Sequence, residues 1–330
     1  MKVKHLTYLA ILVFLNISSG IFAEVTQKEK QALFDAIVDD NLTKVKSIFE
    51  GKTDDEKVAL LFAKDPSYPQ ISLHIAIHGH IRILDFLLKQ AQSAKKLADF
   101  LKATDYKKKT SLYRAIENGY KNSVEKILEF MQKIKPKDQE YIFKQQNVDW
   151  VTSPLEAALE SHVSSGIAML LINFIADIPN EKVKKNIIKE REKHYFLLST
   201  PLSVGAFDLA AKLKKLGADP NQRGKNNNSL LQIHILNSDY LKYHFNKAFP
   251  AIEWLLKNGA SPNLKNDDGD TSLISAIKSG VSEDKIKKVV ELLLTYGADS
   301  SIKNKEGKTA LDYAKEKNLK QIMNILKKQK

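Results

Sequence analysis

A five-residue turn sequence that begins with Gly-Ala occurs three times in the second half of the chain, at 217–221, 259–263 and 297–301. Each copy follows an apolar stretch of helical spacing and precedes a polar stretch that carries Gly or Asn. After the second copy come Leu273 and Ala276, and the same pair of residue types recurs after the third. Residues three apart lie on one face of a helix, where a small Ala lets a neighbouring helix approach. One helix pair cannot bury its apolar stripe alone, so this repeat requires consecutive pairs to stack.

This pattern resembles the ankyrin repeat, whose unit of about 33 residues combines a hairpin turn, a helix beginning Thr-Pro-Leu-His, a Gly turn and a second helix. The resemblance extends from about residue 29 to the end, with further copies near 72–88, 110–128 and 153–171 and a degenerate copy near 33–49. It implies an all-α ankyrin-repeat solenoid of about eight helix pairs over residues 24–330. In this interpretation residues 300–330 form a C-terminal capping repeat with one polar side.

The N-terminal half departs from the family pattern. Longer connections at 89–107, 132–149 and 176–194 replace the Gly-Ala turn there. Two insertions also interrupt the later repeats, one of about five residues after Gly280 and one of about nine after Ser238. Insertions in a solenoid are expected in loops or as lengthened helices, because the stacked core must be kept. The longer insertion contains Tyr240, Tyr243, His244 and Phe245.

The first 23 residues are predicted to be a signal peptide rather than part of the fold. Lys2 and Lys4 precede an apolar run from Leu6 to Leu15, and small residues then allow cleavage after Ala23. The apolar run would span about 15 Å as a helix, half the thickness of a bilayer's hydrocarbon core. The alternative is a retained N-terminal anchor. With no cysteine in the chain, an export signal favours a bacterial periplasmic, envelope or secreted protein.

No sequence motif points to catalysis or to a cofactor. The absence of cysteine excludes disulfides, thiolate metal sites and a thiol nucleophile. No phosphate-binding Gly-rich motif and no nucleophile elbow is found. The run 267–270 contains three Asp, but it is too short for an EF-hand loop and fits a hairpin tip. We therefore predict a non-catalytic protein without a cofactor.

Three histidines, His74, His78 and His80, are close in sequence. His74 and His78 have the i, i+4 spacing that can hold a metal on a helix, but no Glu completes a zinc-protease motif. The resemblance implies instead that His74 is the histidine of the Thr-Pro-Leu-His helix, which braces the hairpin by hydrogen bonds. No metal site is therefore predicted.

The chain is basic, with 52 Lys and Arg against 39 Asp and Glu and a formal net charge of +13. Such a charge favours acidic partners, anionic lipid or nucleic acid through long-range attraction. Nucleic acid is not favoured, because the basic segments lack interleaved aromatic residues and a known reader motif. A basic ligand for an anionic polymer or lipid stays an alternative function.

The leading interpretation is an exported, non-catalytic scaffold for protein–protein interaction. The alternatives are a membrane-anchored envelope structural protein and the anionic-polymer or lipid binder. The resemblance implies that a partner protein contacts the hairpin tips and the first helices on the concave side. A membrane would be a partner only if residues 1–23 were retained. The candidate partner-binding residues are Gln222, Arg223, Lys225, Lys265, Asp267, Asp268, Asp270, Lys303, Lys305, Glu306 and Lys308.

Overall fold

The expectation of an all-helical fold is confirmed by the computed structural model, which describes residues 25–65, 70–145, 152–160, 165–192 and 196–329. Within these ranges the chain forms helices joined by turns, and its only β-type pairings are isolated bridges. The predicted signal segment, residues 1–23, lies outside the described residues. None of the described helices is long and apolar enough to cross a membrane.

The chain divides into two compact units, one ending at Val183 and the other beginning at Lys184. In the first unit the described helices follow one another in sets of three. The division falls within α12, the last of these helices. Their bounds are α1 Gln27–Val38, α2 Leu42–Phe49, α3 Asp54–Leu61, α4 Ser72–Ala76, α5 Ile81–Ser93, α6 Leu97–Lys102, α7 Ser111–Glu117, α8 Lys121–Met131, α9 Pro136–Lys144, α10 Pro154–Glu160, α11 Ser165–Asp177 and α12 Glu181–Glu192.

The long connections of the first unit contain a third helix, which the sequence interpretation did not predict. Helix α6 lies in the first connection, where Leu97, Phe100 and Leu101 are buried at i, i+3 and i+4. Helix α9 lies in the second and begins at Pro136, whose fixed φ suits the first helical position. These helices bury apolar side chains that a polar loop would leave in water.

Corresponding helices of consecutive repeats pack against each other in the first unit. The first helices α1, α4, α7 and α10 form one row, and the second helices α2, α5, α8 and α11 form another. Phe100, Phe130 and Phe143, from three different helices, are fully buried in this core. The packing therefore has the pair-on-pair arrangement that the repeat required.

The second unit contains the clearest sequence repeats and is built from helix pairs. First helices α15, α18 and α20 pack in a row, as do second helices α17, α19 and α21. The insertion after Ser238 forms the short helix α16 and the beginning of α17, and the insertion after Gly280 extends into α19. The bounds are α13 Ser199–Ser203, α14 Phe207–Lys215, α15 Leu230–Leu236, α16 Ser238–Tyr243, α17 Phe245–Lys257, α18 Ser272–Lys278, α19 Glu283–Thr295, α20 Ala310–Glu316 and α21 Lys320–Lys327.

Local sequence fixes where these helix pairs begin. Thr271 caps α18 by accepting a hydrogen bond from the Ile274 amide, and Thr309 caps α20 in a reciprocal capping box with Asp312. A Ser or Thr oxygen at this position satisfies an amide that the helix itself cannot. Each first helix of these repeats therefore starts directly after a hairpin, and the hairpin's position is set by the helix cap.

Candidate functional site

Three hairpins precede the first helices α15, α18 and α20, and we call residues 223–229, 265–270 and 303–308 the hairpin row. Each hairpin is closed by a backbone hydrogen bond. The amide of Gly224 donates to the carbonyl of Asn228 at 2.9 Å, and the Asn304 amide donates to the Lys308 carbonyl at 3.0 Å. The middle hairpin has the equivalent bond, at 3.1 Å. The row thus presents three tight turns of similar construction.

Backbone hydrogen bonds also join each hairpin to the one before it. The Asp267 amide donates to the Asn226 carbonyl at 3.0 Å, and the Lys305 amide donates to the Asp268 carbonyl at 3.0 Å. Main-chain bonds hold the tips in register without using their side chains. The register of the hairpins therefore does not depend on side-chain contacts alone.

Two long cations reinforce this register from the outer side. The Arg223 guanidinium donates to the Lys265 carbonyl at 2.7 Å, and the Lys265 ammonium donates to the Lys303 carbonyl at 3.1 Å. Among the described residues no carboxylate lies within 4.0 Å of either cation, and a bond to a carbonyl leaves the cation's charge in place. Arg223 and Lys265 therefore keep a net positive charge while their positions are restrained.

The Asn at the end of the Gly-Ala turn links the same repeats at the base of the hairpins. The Asn221 amide group donates to the Gly259 carbonyl, and the Asn263 amide group donates to the Gly297 carbonyl, both at 2.9 Å. The sequence interpretation aligned these residues without giving them a role. Their recurrence four residues after the turn Gly is the signal that could have identified them.

Gly269 is required by the close approach of two hairpins. Its φ is +78°, and a Cβ added there would lie 2.8 Å from the backbone nitrogen of Lys305. A Cβ atom cannot approach a backbone atom so closely without a shift of the chain, so only glycine lets these hairpins sit at hydrogen-bonding distance.

Asp270 differs from the expectation of an exposed tip residue. Its side chain is only 3% exposed, and its carboxylate accepts from Lys278 at 2.7 Å and from Asn304 at 2.8 Å. Although desolvation opposes it, the hydrogen bond and charge of Asp270 raise the pKa of Lys278 above its usual value. A carboxylate at this depth must be paired, and here it joins two repeats internally. Asp270 is therefore structural, because the chain turns inward at the helix cap that follows it.

Lys308 is also engaged within its own repeat. Its ammonium lies 2.9 Å from Glu316 and 3.3 Å from Glu306, and 5.2 Å from the centre of the Tyr313 ring. The hydrogen bond from Lys308 is the main cause that lowers the pKa of Glu306. Lys308 thus contributes less free charge to the surface than its position in the hairpin suggested.

The structure brings most of the other candidate residues together on the exposed row. Gln222 is half-buried at its edge. Five cations and three carboxylates then make up the exposed set, so the surface is mixed in sign with a positive excess. The exposed candidates are Arg223, Lys225, Lys265, Asp267, Asp268, Lys303, Lys305 and Glu306.

The first helices contribute less to this surface than the resemblance implied. In α18, every residue from Ser272 to Ile277 is buried. The side-chain amide of Gln232 in α15 donates to the Ser275 hydroxyl of α18 at 3.4 Å and to the Asp270 carbonyl at 2.7 Å. Helix α18 is therefore covered, and the hairpin that precedes it is the more exposed part of its repeat.

The three neighbouring histidines bind three different protein groups. His74 Nε2 lies 2.9 Å from the Lys109 carbonyl, in the hairpin of the next repeat, which is the bracing role that the resemblance implied. His78 Nδ1 lies 3.2 Å from the Tyr120 hydroxyl, and His80 Nδ1 lies 3.2 Å from Asp40. Among the described residues no group of three or more His, Asp or Glu side chains could hold a metal ion.

Comparison with known proteins locates the family resemblance in the second unit. Residues 241–330 match the family model described as ankyrin repeats in three copies. Among solved structures, the chain is similar to the ankyrin repeat domain of Bcl-3, a member of the IkappaB protein family. The two share 18% sequence identity over 89% of this chain and 97% of that one, with a TM-score of 0.38. No curated protein sequence matches the chain.

Proposed function

Because the chain carries ankyrin repeats over residues 241–330, we propose that it is a non-catalytic scaffold that binds another protein through the hairpin row. The observation that carries this proposal is the exposure of charged tip side chains on a backbone already fixed by bonds between hairpins. A surface that is ordered before binding loses less conformational entropy when a partner docks. Mixed charges on such a surface disfavour proteins whose charges do not match it, and they fix the position in which a matching partner binds.

The proposal includes export, with residues 1–23 as a cleaved signal and the periplasm or the medium of a bacterium as the destination. Support comes from the order of the basic start, the apolar run and the small residues before Glu24. Retention of this segment would instead make the protein a membrane-anchored envelope component.

A binder of anionic polymer or lipid is the second candidate, supported by the net charge of +13. Exposed Asp267, Asp268 and Glu306 lie among the lysines of the row. Such carboxylates weaken a uniform attraction to a polyanion. The row therefore suits a protein of mixed charge better.

The test begins with capture of a partner on the chain without residues 1–23, followed by mass spectrometry. The charge of the row is then reversed by Lys265→Glu, Lys303→Glu and Lys305→Glu together. We expect slower association with the captured partner, and a deficit that shrinks with added salt, because exposed charges are screened over about 8–10 Å.

The matched control reverses three exposed lysines of helix α21 and its C-cap, Lys320→Glu, Lys327→Glu and Lys328→Glu. It changes the net charge equally without touching a hairpin. Equal losses in both variants would indicate a net-charge effect and favour the polyanion binder. Unchanged association in the hairpin variant would place the binding surface elsewhere.

A further inference from the structure

A cavity of about 640 Å³ lies between the N-terminal ends of helices α17 and α19. The first helix of each pair runs away from its hairpin and the second returns. The cavity therefore lies at the opposite end of the helix pairs from the hairpin row. The aromatic insertion after Ser238 forms one wall, so this cavity arises where the chain departs from the regular repeat.

Three lysines, Lys247, Lys285 and Lys288, line the cavity. In the part of the chain that the structure describes, none of them has a carboxylate within 4.0 Å. The ammonium groups of Lys285 and Lys288 lie 5.9 and 5.8 Å from the centre of the Phe245 ring. Lys285 is held there by a hydrogen bond of 2.5 Å to the Lys242 carbonyl. Lys285 is thus positioned by a neutral protein group, and none of the three lysines is paired with a described carboxylate.

Two helix N-termini add to the positive potential of the cavity. Helix α17 starts after His244 and α19 after Ser282, and both of these residues line the cavity. Among the described atoms, neither residue makes the side-chain cap bond that would satisfy the first amides. The amide end of a helix attracts anions, and here two such ends converge beside three lysines.

The Phe245 ring of the cavity is half-buried and offers little open face to a nucleic-acid base, whereas the Tyr243 ring is 67% exposed. Phe249 stacks on Phe245 at a centroid distance of 5.3 Å and an angle of 28°, and the two lysines lie at the same ring. The Lys242 ammonium lies 5.0 Å from the Tyr243 ring. Base stacking is one of the sequence-independent contacts of single strands, and it needs an open ring face.

The cavity also contains acceptors, which a phosphate polyanion would not use. Asp284 adds a carboxylate to the lining. Pro250 stands inside α17 and has no N–H to donate to the carbonyl of Asn246, four residues earlier, and Asn246 also lines the cavity. Ammonium groups next to acceptors suit a peptide, whose carboxylates and backbone N–H groups can both be satisfied.

We propose that this cavity is a second binding site, for an acidic segment of a protein partner. A carboxylate side chain of the segment binds the ammonium groups of Lys285 and Lys288, and a backbone N–H donates to Asp284 or to the Asn246 carbonyl. The proposal rests on the proposed function as a protein-binding scaffold, but it concerns a different surface and a defined ligand chemistry.

The test measures binding of a fluorescein-labelled oligoglutamate peptide to the full chain by fluorescence anisotropy. Lys285→Gln with Lys288→Gln should raise Kd about fivefold, since two exposed charge contacts are lost. Lys287→Gln is the matched control on the same helix, as Lys287 does not line the cavity and lies 4.0 Å from Glu291.

The comparison ligands are oligothymidylate and vesicles containing phosphatidylserine. The proposal is overturned if the double variant and Lys287→Gln raise the peptide's Kd equally, or if neither does. It is also overturned if either comparison ligand binds the wild type more tightly than the peptide and loses binding in the double variant. Neutralising the hairpin row by Lys265→Gln, Lys303→Gln and Lys305→Gln should leave the peptide's Kd unchanged. If only the hairpin experiment fails, the proposal of this second site is unaffected. If only the peptide experiment fails, the proposed function of the hairpin row is unaffected.

Discussion

Two buried histidines make the folding stability of this protein sensitive to acid. His234 in α15 is 4% exposed, and burial lowers its pKa to about 4. Burial also lowers the pKa of His74. A histidine with a lowered pKa stays neutral in the fold while the unfolded chain takes up a proton near pH 6.5. The stability contribution of His234 is therefore complete above about pH 6.5 and is lost as the pH falls toward about 4.

We predict that His234→Leu flattens this pH dependence. Wild type should lose up to about 3 kcal/mol through His234 between about pH 6.5 and about pH 4, and the variant should lose none through this site. Urea unfolding across that range measures the difference. His244→Gln, at an exposed histidine, should retain the wild-type profile. Parallel profiles for His234→Leu and wild type would show that His234 is not buried in neutral form.

We predict that Gly269→Ala lowers the free energy of unfolding by more than Gly307→Ala does. Gly269→Ala and Gly307→Ala both place Ala at positive φ, which costs about 1–2 kcal/mol. At Gly307 nothing lies within 4 Å of the new Cβ, whereas at Gly269 it meets the Lys305 backbone. Gly269→Ala should therefore unfold at lower urea, by roughly 1–3 kcal/mol more. Equal losses of unfolding free energy in the two variants would contradict the close contact between Gly269 and the Lys305 backbone.

At the scale of helices, the sequence predicted what depends on short, repeated spacing and missed the helices inside long connections and the contacts between residues distant in sequence. The Leu273 and Ala276 spacing located α18, because an apolar face at that spacing must be buried. The third helices were missed, although Leu97, Phe100 and Leu101 had the spacing that indicates α6. That signal is only six residues long. Asp270 was misplaced because an Asp beside Gly is typical of a turn, and its burial depends on Lys278 and Asn304, which no local pattern reveals.

Leu273→Asp tests the stacking of helix pairs. Leu273 is fully buried in α18, so an unpaired carboxylate there costs several kcal/mol. The melting temperature followed by helical circular dichroism should fall strongly. Leu236→Asp, at a residue 37% exposed in α15, should cost about 1 kcal/mol or less. Similar melting curves for the two variants would contradict the placement of Leu273 in the core.

For the whole molecule, the decisive prediction concerns export. Expression of the full chain in a bacterium should yield a protein that begins at Glu24 and fractionates outside the cytoplasm. Leu12→Arg should leave the chain uncleaved, because a charge interrupts the apolar run. Gln27→Arg, beyond the cleavage point, serves as the control. An uncleaved wild-type chain in the cytoplasm would refute export, and one in the membrane fraction would support the anchor.

The bonds between consecutive hairpins also distinguish two kinds of opening in the second unit. The amides of Asp267 and Lys305 are bonded to carbonyls of the preceding hairpin, whereas amides within α18 are bonded inside one helix. Hydrogen–deuterium exchange at the first two amides therefore requires neighbouring repeats to separate, while exchange in α18 requires the helix itself to open. Comparing the two rates measures the coupling between adjacent repeats directly, without a mutation.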